Sequence, residues 1–380
     1  MNGVLLSILI PTKNRKEYCL EAIQTMLPLL DENCEIVVQD NSNEKKLEEL
    51  LVELNDKRIV YNYHKEHLSY ADNFNQAIEH STGEYLCLLG DDDCVTGAIN
   101  SVVKWMKANE VESVCQKNIV EYIWPNPNIE QFKTGELRIP QFSGSRNKLD
   151  IQPQLSKLLR NGIINYQLSY LPRLYHGIIK RSCLEEVKNK TGHYIGGLSP
   201  DIYSTMTLSC VVDSHYVIDA PFTIAGACPA SGTMANMQGK HSGELKDAPH
   251  FRGVENYEWE KVVPAYYSVE TIWAETALKA LKEIGRTDLY REFNPYRFMA
   301  FSIISNRRNI LQVSIRESLN LADQLKVPFV YHSLRISFGF LGWGMKKLLR
   351  VLKNKKPRYT VKTNVLSLKD ADMEIEKLIV

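Results

Sequence analysis

In Glu84-Tyr85-Leu86-Cys87-Leu88-Leu89-Gly90-Asp91-Asp92-Asp93 an apolar run passes straight into a glycine and three consecutive carboxylates. Tyr85 to Leu89 has the length and boundaries of a strand buried on both faces. Such strands belong to parallel sheets covered by helices, whose ligands sit beyond the carboxyl ends of the strands. The carboxylates therefore stand where an α/β protein keeps its ligand. Adjacent carboxylates repel, and a divalent cation is the simplest counter-charge; hard oxygen donors suit Mg²⁺ or Mn²⁺. Mg²⁺ is usually held by one or two carboxylates plus phosphates, which predicts a metal–diphosphate site. The same residues also read as a solvated acidic turn capping a helix that starts near Thr96.

The flanking chain repeats the pattern. Val4 to Ile10 is apolar and ends at Pro11-Thr12, and Asn14 precedes Glu17 at capping-box spacing. Tyr18, Ala22 and Met26 then recur at helical spacing. Strands are expected at Glu35–Gln39 and Arg58–Tyr63, and helices at Lys45–Leu54, Tyr70–His80 and Ala98–Lys107. The alternation predicts a mainly parallel, Rossmann-like α/β sheet flanked by helices, with Pro11–Asn14, Asp40–Ser42 and Asp91–Asp93 converging on one edge. No GxGxxG follows the first strand and no GxxxxGK[ST] occurs, which argues against a dinucleotide dehydrogenase and a P-loop NTPase.

Composition narrows the setting. A formal net charge of +1 makes nucleic acid no default partner. The eight cysteines form no CxxC pair and several lie in apolar segments, as small buried hydrophobes in a reducing compartment do. Met1 to Ile10 lacks the basic region and long apolar core of a signal peptide. The expected location is cytoplasmic.

Four segments occur together in order: Ser7-Ile-Leu-Ile-Pro-Thr-Lys-Asn-Arg15, Ile36-Val-Val-Gln-Asp-Asn-Ser42, Tyr70-Ala-Asp-Asn-Phe-Asn75 and Gly83-Glu-Tyr-Leu-Cys-Leu-Leu-Gly-Asp-Asp-Asp93. Their order and spacing resemble those of family 2 glycosyltransferases, which have the GT-A fold. The resemblance is strong over residues 4–110, weaker to about 230, and absent beyond. It implies an enzyme that takes a sugar from a nucleotide-sugar donor, UDP by default, and that uses Mn²⁺ or Mg²⁺. Nucleotide contacts fall on Pro11, Thr12, Asn14 and Asp40, whose carboxylate suits the N3–H of a uracil-like base. Asp40-Asn41-Ser42 also reads as a turn with Asx chemistry. Asn73 corresponds to an asparagine near the sugar or ribose. The family's Asp-X-Asp places Gly90 at its first aspartate, a departure. The metal then falls to Asp92, with Asp93 beside it, and Asp91 or Asp93 reaches the ribose or a metal-bound water.

Beyond residue 110 regular alternation is lost. Ser113–Trp124 reads as a strand, Ser143–Asn147 as a loop, Pro153–Leu159 as a short helix and Tyr175–Lys180 as a strand. In Gly196-Gly197-Leu198-Ser199-Pro200-Asp201, Ser199 is a candidate N-cap and Pro200 fits the first helical position of a helix to about Val211. Asp201 is then either a helix-dipole aspartate or, as the resemblance implies, the catalytic base. Gly226–Gly243 is rich in small residues and reads as a mobile flap over the diphosphate, with Lys240 and His241 as contacts, inside a flexible loop spanning 231–256.

From Tyr257 onward the chain reads as helical. No acidic residue occurs between Asp323 and Asp370, while basic and large apolar residues accumulate over 330–358. Lys/Arg interleaved with Trp/Phe/Leu is the signature of a helix on an anionic membrane surface; packing on the protein's own core is the other reading. The expected organisation is a GT-A domain over 1–230, the loop, and a helical C-terminal region over 257–380. The expected function is an inverting, metal-dependent transfer to a glycan or lipid-linked acceptor in surface polysaccharide assembly, at the inner face of the cell membrane. A nucleotidyltransferase and a non-catalytic binding protein of the same fold are the alternatives.

Overall fold

The computed structural model describes residues 3–237, 242–251, 254, 256–306, 308, 310–352 and 359–379. The first half alternates as the sequence predicts: β1 (Leu6–Thr12), α1 (Lys16–Met26), β2 (Cys34–Asp40), α2 (Lys46–Glu53), β3 (Ile59–Tyr63), α3 (Tyr70–Glu79), β4 (Tyr85–Leu88), β5 (Cys94–Val95) and α4 (Ala98–Ala108). Every residue of β1, β2 and β4 is buried, which is why apolar residues dominate these strands; of the polar exceptions, Ser7 donates its hydroxyl to Glu35 on the neighbouring strand. The strands β3-β2-β1-β4 are mutually parallel. Their carboxyl ends share one edge.

Past β4 the sheet changes character. Ser113–Trp124 is two strands, β6 (Ser113–Gln116) and β7 (Val120–Ile123), in different sheets. Then come β8 (Glu136–Pro140), β9 (Arg146–Lys148), α5 (Ile151–Arg160), β10 (Gly177–Lys180), α6 (Arg181–Thr191), α7 (Pro200–Leu208), β11 (His215–Ile218), β12 (Thr223–Ala227) and α8 (Gly232–Met237). The eight-stranded sheet runs β3-β2-β1-β4-β10-β6-β11-β9, and β10 enters antiparallel between β4 and β6. The expected loop at 143–147 is partly β9, an edge strand pairing antiparallel with β11. The expected flap begins as β12 and continues as α8.

The last third is helical but starts later than its apolar spacing suggests. After the short pair β13 (Ser242–Gly243) and β14 (Tyr267–Ser268), α9 (Val269–Glu283) opens at a capping box of Ser268 and Thr271. Pro264 lies within the run of apolar residues from Trp259 and interrupts it as a helix. Then follow α10 (Thr287–Tyr290), α11 (Pro295–Ser305), α12 (Leu311–Gln324) and α13 (Phe329–Leu352). Asn294 caps α11 and Pro295 fills its first position.

The chain then returns. β15 (Tyr359–Thr363) pairs antiparallel with β8, at the edge of the five-stranded sheet β15-β8-β7-β12-β5. Then α14 (Leu368–Ile379) buries Leu368, Ala371 and Ile375 in the same apolar cluster as β1, α1 and β4. Tyr122 donates its hydroxyl to the Val365 carbonyl, and the Leu368 amide donates to Glu21. Residues 359–379 are thus built into the N-terminal unit, against the expectation that everything after 257 forms a separate region.

Candidate active site

The loops at the carboxyl edge are stitched to one another. Thr12, at the end of β1, donates its hydroxyl to Asp91 Oδ2 at 2.6 Å. Arg15 places Nη2 2.6 Å from Asp91 Oδ1 and Nη1 3.7 Å from Asp92 Oδ1. Asn14 ties the first loop to the second: its amide donates to Ser42 Oγ and its Oδ1 accepts from the Asn43 amide. It adopts φ +57°, a left-handed conformation that asparagine tolerates better than most residues. The capping box expected at Asn14 does not form, because its side chain serves this turn and α1 starts after Arg15.

Pro11 is buried in β1. Asp40 is fully buried, with Oδ1 accepting from the Ser42 amide and Oδ2 from the Tyr61 hydroxyl at 2.9 Å. Both its oxygens therefore have protein partners, as in an Asx turn. Asn73 on α3 is buried and its Oδ1 has no hydrogen-bond partner among the described residues. No hydrogen bond in the described structure joins it to the other loops. Lys240 and His241 lie outside the described residues.

The three consecutive carboxylates occupy three different environments. Asp93 is enclosed. Its Oδ2 accepts from the Gly90 amide at 2.6 Å and the Tyr175 hydroxyl at 2.7 Å, with His176 Nε2 3.2 Å away; its Oδ1 accepts from the Gly226 amide. Burial pushes this carboxyl up, but His176 and the donors outweigh it, so Asp93 lies below the ordinary carboxylate range. Asp91 is pushed up to about 7 by burial, against the pull of Arg15. Asp92 is likewise raised by burial and then by Asp93, although its Oδ2 accepts from the Cys228 amide at 2.8 Å. Burial opposes the charge on Arg15, yet Asp91 and Asp92 hold it protonated.

This balance bears on a metal. Two carboxylates held above their normal range beside one guanidinium would be relieved by a further cation. Asp92 Oδ1, whose nearest cation is Arg15 at 3.7 Å, has an oxygen to offer. Asp93 does not, since both its oxygens are already engaged. Among the described residues no three His, Cys, Asp or Glu side chains are grouped to hold an ion by themselves. A cation here would share its coordination with a ligand, as Mg²⁺ commonly does.

Gly90 now has a physical reason. A Cβ there would lie 3.0 Å from Asp93 Oδ2, 3.2 Å from Asp92 Oδ1 and 3.3 Å from the Tyr175 hydroxyl. An aspartate would drive a third charge into two carboxylates. Gly226 is equally constrained: its Cβ would stand 1.7 Å from the Asp92 carbonyl, which also accepts from Trp124 Nε1.

Asp201 is the second residue of α7, after Pro200 at the first helical position. Ser199 precedes the helix but its side chain makes no cap bond. The Asp201 carboxylate is partly exposed and accepts no hydrogen bond from a described residue. Burial lifts it to about 6, with His176 and Arg173 pulling down and Asp93 pushing up. The helix N-terminus alone would favour the ionised form; desolvation outweighs it. Helix α9 braces this segment: Glu283 accepts from the Tyr203 hydroxyl at 2.6 Å, and Thr276 Oγ1 accepts from the Leu198 amide.

Arg15, Tyr175 and His176 complete the site and were not singled out from the sequence. His176 sits at φ +54°, with Nδ1 2.9 Å from Thr223 Oγ1 and Nε2 toward Asp93. A polar pair at the entry of an apolar strand was the available signal. It faces Asp93 because β10 runs antiparallel to β4, which an alternating strand–helix pattern does not predict.

Comparisons with known proteins bear on the fold and the family. Residues 7–156 match the model of Glycosyl transferase family 2. Over this stretch the chain is similar to family 2 glycosyl transferases. The putative colanic acid biosynthesis glycosyl transferase WcaA of Escherichia coli K12 is 33% identical over 94 residues, 24% of this chain and 34% of that protein. An uncharacterized glycosyltransferase of Rickettsia conorii is 32% identical over 111 residues, 29% of this chain and 18% of that protein. The matched segments thus span about a fifth to a third of these relatives. Crystalline S. aureus TarS 1-349 in complex with UDP-GlcNAc superposes with a TM-score of 0.53 at 12% identity, covering 88% of this chain and 89% of that one. The fold is therefore the expected GT-A fold, with a helical C-terminal region added.

Proposed function

We propose that the protein is an inverting glycosyltransferase that moves a sugar from a nucleotide-sugar donor to a hydroxyl of a glycan acceptor in surface polysaccharide assembly. The observation that carries this reading is Asp201: a carboxylate that accepts from no described residue, lifted to about 6 and electrostatically coupled to Asp93 and His176, in a chain whose residues 7–156 resemble family 2 glycosyl transferases. Asp201 takes the proton from the acceptor hydroxyl as that oxygen attacks the anomeric carbon. The bond to the nucleoside diphosphate breaks on the opposite face, so one displacement inverts the configuration. A base with a pKa near 6 is mostly ionised at neutral pH and can still hold the proton it receives.

Asp92 is the residue that fits Mn²⁺ or Mg²⁺ together with the donor diphosphate. Such an ion, when bound, would neutralise charge on the leaving group. Arg15 keeps Asp91 and Asp92 in register. Asn73 Oδ1, a buried acceptor without a donor among the described residues, suits a sugar or ribose hydroxyl. Pro11, Thr12, Asn14 and Asp40 shape the nucleotide end. UDP is the favoured nucleotide; TarS, which shares the fold, was crystallised with UDP-GlcNAc. We read the catalytic unit as residues 1–230 together with 359–379. The acceptor is lipid-linked in this reading, and segment 330–358 meets the membrane surface.

The test is calorimetric titration of a panel of nucleoside diphosphates with and without Mn²⁺, on wild type and Asp92→Ala. Metal-dependent binding of one nucleotide, lost in the variant, supports the donor site. Absence of binding by the wild type under every metal condition refutes it. Release of diphosphate ion instead of nucleoside diphosphate during turnover would turn the assignment to a nucleotidyltransferase.

A further inference from the structure

Helix α13 has two apolar faces, and the protein uses only one. On the inner face His332 is fully buried, with Nε2 2.8 Å from the Ser318 carbonyl, and Ile336 is 4% exposed. Gly339 lies so close to α11 that a Cβ would come within 2.8 Å of Ala300 Cβ and the Tyr296 carbonyl. The helix is thus clamped to the body.

The opposite face carries Tyr331, Leu334, Phe338 and Leu341, with Phe329 and Val330 at its start. Leu334, Phe338 and Leu341 are each more than half exposed. Their spacing of three, four and three residues makes a single stripe. The sequence continues that spacing through Met345, Leu348 and Leu352, although side chains from 343 to 352 and residues 353–358 lie outside those described. A contiguous exposed apolar stripe marks an interaction surface.

Charge identifies the occupant. Between Asp323 and Asp370 there is no acidic residue, while Arg335, Lys346, Lys347, Arg350, Lys353, Lys355, Lys356 and Arg358 accumulate. A second copy docked stripe to stripe would bring two such basic segments together without a counter-charge. An anionic lipid surface supplies both an apolar layer and the counter-charge. No described helix is long and apolar enough to cross a membrane, so the fit is to a helix lying in the interface plane.

We infer that α13 is a keel: the Tyr331–Leu341 stripe inserts into an anionic bilayer, while α11 and α12, packed against its inner face, hold the helix to the body of the protein. This deepens the membrane reading above. It differs from a tethering tail in fixing the orientation of the sheet's carboxyl edge relative to the membrane, so a lipid-borne acceptor would meet the site at one height. The binding itself is measured without any donor or acceptor, so its outcome is independent of whether the protein transfers sugar.

The experiment is vesicle sedimentation of the full chain with phosphatidylglycerol/phosphatidylethanolamine vesicles and with pure phosphatidylcholine vesicles. Wild type is compared with the double variant Leu334→Glu/Phe338→Glu. Both sites are exposed, so the melting temperature should not move, which a thermal scan checks. The expected result is binding to anionic vesicles only, weakened about tenfold or more in the double variant and reduced by salt. Reversing Lys346 and Lys347 to Glu should weaken it as well. Failure of the wild type to bind anionic vesicles overturns the inference. So does binding that the double variant leaves unchanged. A dimer in solution that the double variant dissociates, without vesicle binding, would assign the stripe to a second copy and overturn it too.

Discussion

Asp93 and Asp201 both feel the charge of His176, and they are embedded in opposite ways. Asp93 accepts from two backbone amides and a tyrosine hydroxyl, with the imidazole 3.2 Å away, and lies below the ordinary carboxylate range. Asp201 accepts from no described residue and lies well above that range. The first has spent its hydrogen-bonding capacity on holding β4, β10 and β12 together. The second keeps that capacity free of every described residue. A carboxylate's neighbours thus separate an architectural role from a chemical one more sharply than its place in a motif does.

The contrast can be broken most decisively at Asp201. Asp201→Asn should slow transfer by ~10²–10⁴-fold while nucleotide binding and the unfolding midpoint stay near wild type; turnover, calorimetry and urea unfolding measure the three. An Asn variant that retains full turnover would end the assignment. At Asp93 the pattern should invert in kind. Asp93→Ala leaves two amides, Tyr175 and His176 without their acceptor, and should cost ~3–5 kcal/mol of stability in urea unfolding, dragging activity down with it.

Arg15→Ala should be intermediate, costing ~2–3 kcal/mol because Asp91 loses its counter-charge inside the protein. The loss should shrink when Mn²⁺ is added, which a thermal scan with and without metal would reveal. The smallest effect is on the pH profile. A raised carboxyl that must be ionised to act gives a rate that is full above its pKa and lost as pH falls through it. The acidic limb of turnover should therefore bend near pH 6, about two units above the bend an ordinary aspartate would give.

The same contrast explains what was legible in the sequence. β1, β2 and β4 are buried on both faces, so their apolar runs announced them, and the polar turns after them announced a shared edge. Asp201 was visible through Pro200, whose fixed φ marks a helix start. The partners of Asp93 were not visible, because His176 reaches it only through an antiparallel crossing made 83 residues later in the chain. Arg15 did not stand out, since a lone cation in a loop has no periodicity to betray its target. Gly90 read as a defect in a motif until Asp92, Asp93 and Tyr175 were seen to fill the space a side chain would need. The helix expected from Tyr257 failed for a simpler reason: apolar spacing continued across Pro264, and the capping residues at Ser268 and Thr271 set the start instead.

The return of β15 and α14 to the first helix has a consequence for how the protein is made. Val365, Leu368, Ala371 and Ile375 complete the cluster that β1 and α1 begin. During synthesis the N-terminal unit leaves the ribosome first, yet part of its interior arrives more than 300 residues afterwards. Until then the outer surface of α1 has an apolar vacancy that invites mispairing or chaperone capture. Assembly of the catalytic unit is consequently timed by the emergence of its final helix, and a nascent chain halted anywhere before residue 365 would be held open at the very element that carries Arg15 into place.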